Sequence, residues 1–320
     1  MSRALQLRLV NHDIPYQDLR DQVEAAAYRS IKIDPSIGLA YSALAWLEPT
    51  ARYVQREALE LEALKAAPND PWILFNNGQF CAQVGRYEQA LHYLKQAHEL
   101  DPLHVVPAIW YACLTGMTGR IDQSNALFDT FLQRWPESPG LWTTALFGPT
   151  VTGDWDRWDR LAGRLRQVRA DAEAASPVLS MGAALRAASP EVSAQVLAGL
   201  RRELAKAGTV QTANLVFAQK LGLIEEAFDL MQQASYAHVF DEQEIFSAGL
   251  LPVMHFSVPA NAAMMRDRRF LVLCQKLGLC NYWLDTDRWP DCVDAVAPWY
   301  DFKAEAGRQV AEAERLSGLS

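Results

Sequence analysis

The sequence has 320 residues, of which 50% are hydrophobic and 21% are charged, and its formal net charge is −8 at pH 7. This acidic balance argues against direct nucleic-acid binding by this chain, because phosphate recognition requires clustered Lys and Arg. No apolar run approaches the ~20 residues of a membrane-spanning helix, and the N-terminal apolar stretch is too short for a secretory signal.

A period of 34 residues is the strongest pattern in the chain. Prolines recur with spacings of 33, 34 and 34 residues, at Pro35, Pro68, Pro102 and Pro136. Glycines in predicted turns recur 34 residues apart, at Gly85, Gly119 and Gly153. Several near-equal spacings of this kind indicate a repeat architecture.

The clearest repeat runs from Pro71 to Pro102 and predicts two amphipathic helices joined by a turn at Gly85. Gly78 and Ala90 are small, as is required where two helix backbones cross closely. This unit resembles a tetratricopeptide repeat (TPR), which has small residues at its eighth and twentieth positions and proline at its thirty-second. The resemblance implies an all-α, right-handed TPR-type solenoid that binds through a surface of stacked helices.

The other repeats depart from this pattern in specific ways. The first repeat starts near Gly38 and has Glu48-Pro49-Thr50 where a turn glycine is expected. Arg56 occupies one of its small positions, which predicts looser packing there. The third repeat has Ser124 in its second small position. In the fourth, Trp158 stands where alanine belongs, and we expect its bulk to push the two helices apart or to mark a change in the superhelix.

Three regions are predicted along the chain. Residues 1–170 form the TPR array, and the 34-residue register is lost after Ala170. Residues 171–240 form degenerate TPR-like helix pairs, with helices starting after Ser176-Pro177 and Ser189-Pro190 and a last repeat turning at Gly222. Residues 241–320 form an aromatic-rich helical C-terminal cap, with an ordered loop or short helices over Ser247–Ala260. A solenoid needs such a cap because its last repeat exposes an apolar face.

The C-terminal region also carries a resemblance of its own. This region resembles the ending of bacterial TPR modules found downstream of winged-helix or cyclase domains. The residues that carry the resemblance are Phe270, Leu273, Leu277-Gly278-Leu279, Tyr282-Trp283 and Arg288-Trp289-Pro290-Asp291. The resemblance implies a sensory or interaction module of a regulator. No basic winged-helix segment precedes Arg3, so we expect any such domain to lie outside this sequence.

The sequence contains no motif for an enzyme, a metal or a cofactor. The metalloprotease, P-loop, nucleophile-elbow and dinucleotide patterns are absent. Five cysteines without a CxxC pair predict neither a disulfide framework nor a zinc site, so a reducing cytoplasm is the expected location. Asp285, Asp287 and Asp291 could hold a cation or cap turns, and capping is favoured because no glycine stands where a calcium loop needs one.

A stripe of arginines, Arg157, Arg160 and Arg164, occurs at helical spacing in the fourth repeat. It could bind an anionic partner. The alternative is a solvated helix face on which Asp156 pairs with Arg160, and this alternative is favoured.

The TPR resemblance implies a concave groove lined by the first helix of each repeat. The groove positions are Ser42, Trp46, Trp72, Phe75, Gln79, Gln83, Ile109, Cys113, Met117, Thr143, Phe147 and Thr150, and the degenerate repeat adds Thr212, Val216 and Gln219. None of these residues is charged, which excludes a clamp for a peptide carboxylate, because such a clamp needs Lys or Arg. An uncharged groove suits an amphipathic helix, an apolar peptide or a small hydrophobic ligand. Alternatively, a neighbouring helix or the C-terminal part of the chain fills it.

Two functions therefore remain open, and neither is enzymatic. The first is a scaffold that binds a protein or peptide partner in the groove, and it predicts that replacing Phe75 and Phe147 by alanine abolishes binding without loss of stability. The second is a sensory or regulatory module of a bacterial transcriptional regulator or signalling protein, which binds a small molecule or forms a homodimer.

Overall fold

The computed structural model describes residues 16–169, 171, 177–241 and 262–318, and these residues form helices and turns without a β-strand. A short 3-10 helix spans Ala237–Phe240. The α-helices are α1 (Tyr16–Ile33), α2 (Gly38–Leu47), α3 (Tyr53–Ala66), α4 (Pro71–Gln83), α5 (Tyr87–Leu100), α6 (Val105–Met117), α7 (Ile121–Arg134), α8 (Pro139–Thr152), α9 (Trp155–Val168), α10 (Pro177–Ala187), α11 (Pro190–Ala207), α12 (Thr212–Lys220), α13 (Ile224–Gln233), α14 (Ala262–Met265), α15 (Phe270–Lys276), α16 (Leu279–Thr286), α17 (Val293–Val296) and α18 (Phe302–Ser317).

Consecutive helices pack as hairpins, and the hairpins stack in chain order. The pairs α2–α3, α4–α5, α6–α7, α8–α9 and α12–α13 pack against each other directly. The first helices also form a layer, in which α2 contacts α4, α6 contacts α8, and α10 bridges α8 and α12. The predicted all-α solenoid is therefore confirmed, and the stack continues past the point where the 34-residue register is lost.

The repeat residues account for the hairpin geometry. Asp70 caps α4 by accepting from the backbone N–H of Trp72 and Ile73, and Pro71 occupies the first helical turn. Gly85 closes the hairpin with φ +86°, a left-handed conformation that glycine adopts without strain. At the crossing, a Cβ on Gly78 would lie 2.7 Å from Leu94 Cγ, so α4 and α5 approach too closely for any larger residue.

Arg56 has polar and aromatic partners at its small-residue position in the first repeat. Its guanidinium donates to the backbone carbonyl of Thr50 (3.0 Å) and to Gln83 Oε1 (2.9 Å), and it lies 5.6 Å from the ring centre of Phe80. The arginine thus occupies the space of a small residue by tying the Glu48-Pro49-Thr50 turn to α4. A long side chain fills this position because its charged end has partners there.

Trp158 mediates the junction between the fourth hairpin and the next one. Its indole lies against Gly182 of α10, where an added Cβ would come within 2.3 Å of Trp158 Nε1. The α8–α9 hairpin also packs less extensively than the three hairpins before it. The bulk of Trp158 is therefore accommodated partly by looser pairing and partly by a glycine in the following hairpin.

The C-terminal segment returns from the last hairpin to the first two. Helix α15 packs on α13, α16 packs on α3, and α18 covers both α15 and α16. The indole N–H of Trp283 donates to the carbonyl of Val84 (3.0 Å), and the N–H of Asp291 donates to the carbonyl of Gly85 (3.0 Å). The segment therefore contacts the turn edge of the array in addition to the last repeat, which a cap over the last repeat alone does not predict.

A carboxylate at this junction is shared by three donors. Glu57 on α3 pairs with Arg86 (2.6 Å) and Arg288 (2.5 Å) and accepts from the Tyr282 hydroxyl (3.0 Å). Because a buried carboxylate is costly without partners, this network fixes how α16 sits on the array.

The division of the chain at residues 170 and 240 remains a proposal, and the loop expected over Ser247–Ala260 lies outside the described residues.

Candidate functional site

The structure places the twelve predicted groove residues on the first helices of four successive hairpins, α2, α4, α6 and α8. None of them is exposed. Six are half-buried, namely Trp46, Trp72, Ile109, Cys113, Thr143 and Phe147. Six are buried, namely Ser42, Phe75, Gln79, Gln83, Met117 and Thr150.

An aromatic cluster joins the predicted groove residues of the second repeat to the third repeat. The ring of Trp72 lies 5.1 Å from that of Phe75 and 5.5 Å from that of His104. Phe75 in turn meets Trp110 edge-on at 6.3 Å. His104 and Trp110 are members that the repeat positions did not predict. Such clusters provide large contact area with little conformational freedom to lose.

The far end of the predicted groove is joined to the last repeat and to the C-terminal segment. Phe147 on α8 meets Phe217 on α12 edge-on at 6.2 Å. The amide oxygen of Gln219, also a predicted groove position, accepts from the backbone N–H of Met264 (3.2 Å). Part of the chain beyond the last repeat therefore contacts a predicted groove position of α12.

Several polar groove residues already have partners within the array. Ser42 donates to Glu60 Oε2 at 2.6 Å, and Gln83 accepts from Arg56. Burial raises the pKa of Glu60 to about 7, against the opposing effects of the Ser42 hydroxyl and the Arg56 charge. These side chains support the helix packing. Phe75 is only 2% exposed, so its replacement by alanine would cost stability as well as contact area.

Asn76 lies beside the predicted groove residues of α4 but is not one of the predicted positions. It lies four residues after Trp72, and three and seven residues before Gln79 and Gln83, so it shares their stripe of α4. The amide nitrogen and the amide oxygen of Asn76 are both buried, and neither has a hydrogen-bond partner in the described part of the chain. The adjacent Asn77 donates to the carbonyls of Glu60 (3.2 Å) and Ile73 (3.0 Å). The two consecutive amides Asn76-Asn77, between Phe75 and Gly78, were the available signal.

A small cavity of about 50 Å³ lies between α6, α7, α8 and α9. Three predicted groove residues, Cys113, Met117 and Phe147, line it. Ile121 and Phe128 of α7 also line it. The predicted groove therefore reaches into the space between the third and fourth repeats.

Two of the acids and two of the arginines singled out in the sequence make contacts within the fold. Asp291 accepts from the N–H of Glu88 (2.9 Å) at the start of α5, and Asp287 accepts from the indole of Trp289 (2.6 Å). Arg157 forms a two-pronged pair with Asp129, with both distances 3.1 Å, and Arg164 stacks 5.6 Å from the ring of Trp142. Two of the three arginines in the stripe, Arg157 and Arg164, therefore contact residues of the array itself.

Neither a metal site nor a reactive thiol is found in the part of the chain that the structure describes. No group of three His, Cys, Asp or Glu side chains could hold a metal ion there. Burial raises the pKa of Cys81, Cys113 and Cys292 to about 12, so these thiols stay protonated at neutral pH. Among the described helices, none has the length and apolar character needed to cross a membrane.

No protein-family model matches the chain, and no curated protein matches it significantly. Solved structures of low sequence identity are similar to it. YrrB, described as a TPR protein with an unusual peptide-binding site, is 15% identical with a TM-score of 0.41 and covers 55% of this chain and 97% of its own. PilW, described as a widely conserved type IV pilus biogenesis factor, is 15% identical with a TM-score of 0.41 and covers 72% and 89%. PilF of Pseudomonas aeruginosa is 16% identical with a TM-score of 0.43 and covers 72% and 87%.

The chain's own geometry supports the repeat assignment made from its residues. Stacked helix hairpins recur with the 34-residue period, and Gly85, Gly119 and Gly153 turn them with φ of +86°, +84° and +76°. Gly78 and Ala90 lie where two helices cross. These features together show a tetratricopeptide-repeat fold.

Proposed function

We propose that this chain is a protein-interaction scaffold that binds a peptide or a partner helix in its uncharged concave groove. The proposal rests mainly on the side-chain amide of Asn76. Its amide nitrogen and oxygen are buried on the groove stripe of α4 without a partner in the described residues. An unsatisfied buried amide costs about 1–3 kcal/mol, and a peptide backbone supplies both a donor and an acceptor that pair with it when binding displaces the side chains covering it.

The surroundings of Asn76 favour an apolar partner. Trp72, half-buried, and the ring cluster with Phe75 and His104 offer aromatic surface beside the amide. None of the twelve groove positions is charged, so these positions offer no ion pair that would select an acidic or a basic segment. A segment with alternating apolar side chains, or the apolar face of a helix, fits this chemistry.

The proposal is tested by selecting a library of random 12-residue peptides, displayed on phage, against the immobilised chain. Binding of the selected peptides is then measured by fluorescence polarisation. The half-buried Thr143 of the groove, changed to arginine, is expected to weaken binding at least tenfold. The exposed Thr130 on α7, changed to arginine, is the matched control and is expected to leave binding unchanged. Equal binding by the two variants would refute the groove as the binding surface.

A second candidate function is a sensory module that binds a small molecule. A cavity of about 380 Å³ between the array and the C-terminal segment supports it, since ligand sites favour such junctions. Glu88, Thr118, Arg266 and Asp291 line this cavity together with apolar residues that include Met117. Native mass spectrometry of the purified chain tests this candidate. A bound molecule or a dimer would support a sensory role, and an unliganded monomer unaffected by a metabolite panel would count against it.

A further inference from the structure

The helix pair α10 and α11 is splayed. The hairpins on either side of it pack helix against helix, whereas α10 packs on α8, α9 and α12, and α11 packs on α12 and α13. Within the described chain, α10 and α11 do not pack closely on each other. Helix α11 has 18 residues, and Leu200 is the one that is fully buried. A gap therefore remains between α10 and α11.

A largely apolar cavity occupies this gap, and its walls come from three helices. The apolar side chains that line it are Met181, Ala184 and Leu185 of α10, Val196 and Leu200 of α11, and Phe217 and Leu221 at α12. Phe217 is held in place by its edge-on contact with Phe147 (6.2 Å). Because apolar walls gain from losing contact with water, this lining favours an occupant with an apolar body.

Glu203 of α11 is the charged residue among the described residues that line the cavity. One of its carboxylate oxygens accepts from the backbone N–H of Gln211 (2.9 Å), and the other accepts from the side-chain amide of Asn214 (2.9 Å). Both donors are neutral, and Glu203 forms no ion pair within the described chain. Arg186 of α10 is engaged elsewhere, by both oxygens of Asp159 (2.7 and 2.9 Å). The charge of Glu203 is therefore fixed in position without a countercharge.

The arrangement favours a cation over a neutral molecule or an anion. A carboxylate has about four acceptor positions, so Glu203 can still accept from a ligand. A charge-assisted bond from an ammonium group is roughly twice as strong as a neutral hydrogen bond, and an anion would be repelled. Phe217 places an aromatic ring at the same cavity, and such a ring attracts a cation that lies over its face.

We propose that this cavity binds a small organic ammonium ion with an apolar body. The ammonium group donates to the carboxylate of Glu203, and the apolar body lies against the side chains of α10 and α12. The site uses none of the twelve predicted groove positions. It goes beyond peptide binding in the groove, and its test needs no peptide.

The test compares three six-carbon probes by titration calorimetry of the full chain at pH 7, namely hexylamine, hexanol and hexanoate. They share one apolar body, and their head groups are positive, neutral and negative. Hexylamine is expected to bind at least roughly tenfold more tightly than hexanol, with hexanoate weaker still. Equal binding of hexylamine and hexanol, preferred binding of hexanoate, or no binding of hexylamine would each overturn the proposal.

Two variants locate the site within the chain. Glu203→Gln keeps the length of the side chain but removes its charge, and it is expected to bring hexylamine and hexanol to within about twofold of each other. Gly199 lines the cavity, and a Cβ there would meet only the side chain of Arg202, at 3.9 Å. Gly199→Leu therefore extends a side chain into open space, and it is expected to weaken hexylamine binding at least roughly tenfold.

Gly163→Leu on α9 is the matched control, because a Cβ there also meets no described atom within 4 Å and Gly163 does not line the cavity. It is expected to leave hexylamine binding unchanged. Both leucine variants replace glycine within a helix, which favours the helix, and melting curves check that each variant folds. Unchanged selectivity in Glu203→Gln, or equal binding by the two leucine variants, would overturn the site.

A lysine side chain of a partner protein carries the same ammonium group, and Nα-acetyl-lysinamide is the probe for that source. It is expected to bind more weakly than hexylamine, because its two amides would lose water against apolar walls. Tighter binding of Nα-acetyl-lysinamide would overturn the assignment to a small free amine.

Discussion

Asn76 and Asn77 are adjacent residues of the same type with opposite hydrogen-bonding situations, which allows a controlled prediction. Both are buried in the middle of α4, at 3% and 4% exposure. Asn76 has two polar atoms without partners in the described chain, whereas Asn77 donates to two carbonyls. Leucine is close to asparagine in shape and is the better helix former, and this propensity gain is the same at both positions.

We expect Asn76→Leu to raise the free energy of unfolding by about 1–3 kcal/mol, because it removes an unsatisfied buried amide. Asn77→Leu is expected to lower it by about 1–2 kcal/mol, because two hydrogen bonds of roughly 1 kcal/mol each are lost. The expected difference between the two variants is therefore at least about 2 kcal/mol.

Urea denaturation followed by circular dichroism measures this difference as a shift in midpoint at constant slope. The constant slope matters because a changed slope would report altered compactness instead of altered stability. If Asn76→Leu is as destabilising as Asn77→Leu, the amide of Asn76 has a partner after all, and the reasoning about its role fails. If Asn76→Leu is more stable and also loses peptide binding, the amide is retained for binding.

Three further predictions concern the packing, the capping and the charge of the array. Gly182→Ala is expected to destabilise the chain by about 1–3 kcal/mol, because the added methyl group would collide with Trp158. Adding Trp158→Leu should relieve much of this destabilisation, and thermal melting of the single and double variants measures it. Asp291→Ala is expected to cost about 0.5–2 kcal/mol by uncapping α5, against little change for the exposed Asp294→Ala in urea titrations. Burial raises the pKa of Glu60 from 4.5 to about 7, so the folded state binds this proton more tightly than the unfolded state does. The stability that this proton provides is fully present below about pH 4.5. It is lost as the pH rises through about 7, and the loss amounts to about 3 kcal/mol. Glu60→Gln should flatten this part of the stability–pH profile, and an unchanged profile would contradict the assignment.

The sequence was sufficient to predict the fold because the repeat pattern is local. Each 34-residue unit has its own turn glycine and its own small crossing residues, such as Gly78 against Leu94. The twelve predicted groove residues also lie on the first helices of four successive hairpins. These features depend on neighbours within about one repeat, and a pattern of residue types can specify them.

The missing parts of the prediction depend on contacts between distant residues. The hydrogen bond from Trp283 to Val84 joins residues 199 apart, and nothing in either local pattern indicates it. The repeat pattern does not explain the bulky Trp158 at a small-residue position, because its neighbour Gly182 lies in a later helix. The cavity lined by Cys113, Met117 and Phe147 likewise arises from four helices together, α6 to α9. Spacing rules specify which face a side chain occupies, but they do not specify what distant segment lies opposite.

Hydrogen–deuterium exchange of the full chain, with and without a selected 12-residue peptide, tests most directly whether the groove is the binding surface. The account predicts added protection in the first helices of the repeats, α4, α6 and α8, with little change in α7 and α9 on the other side of the hairpins. Protection restricted to the C-terminal helices α15 to α18, or spread evenly over both helices of each hairpin, would contradict it.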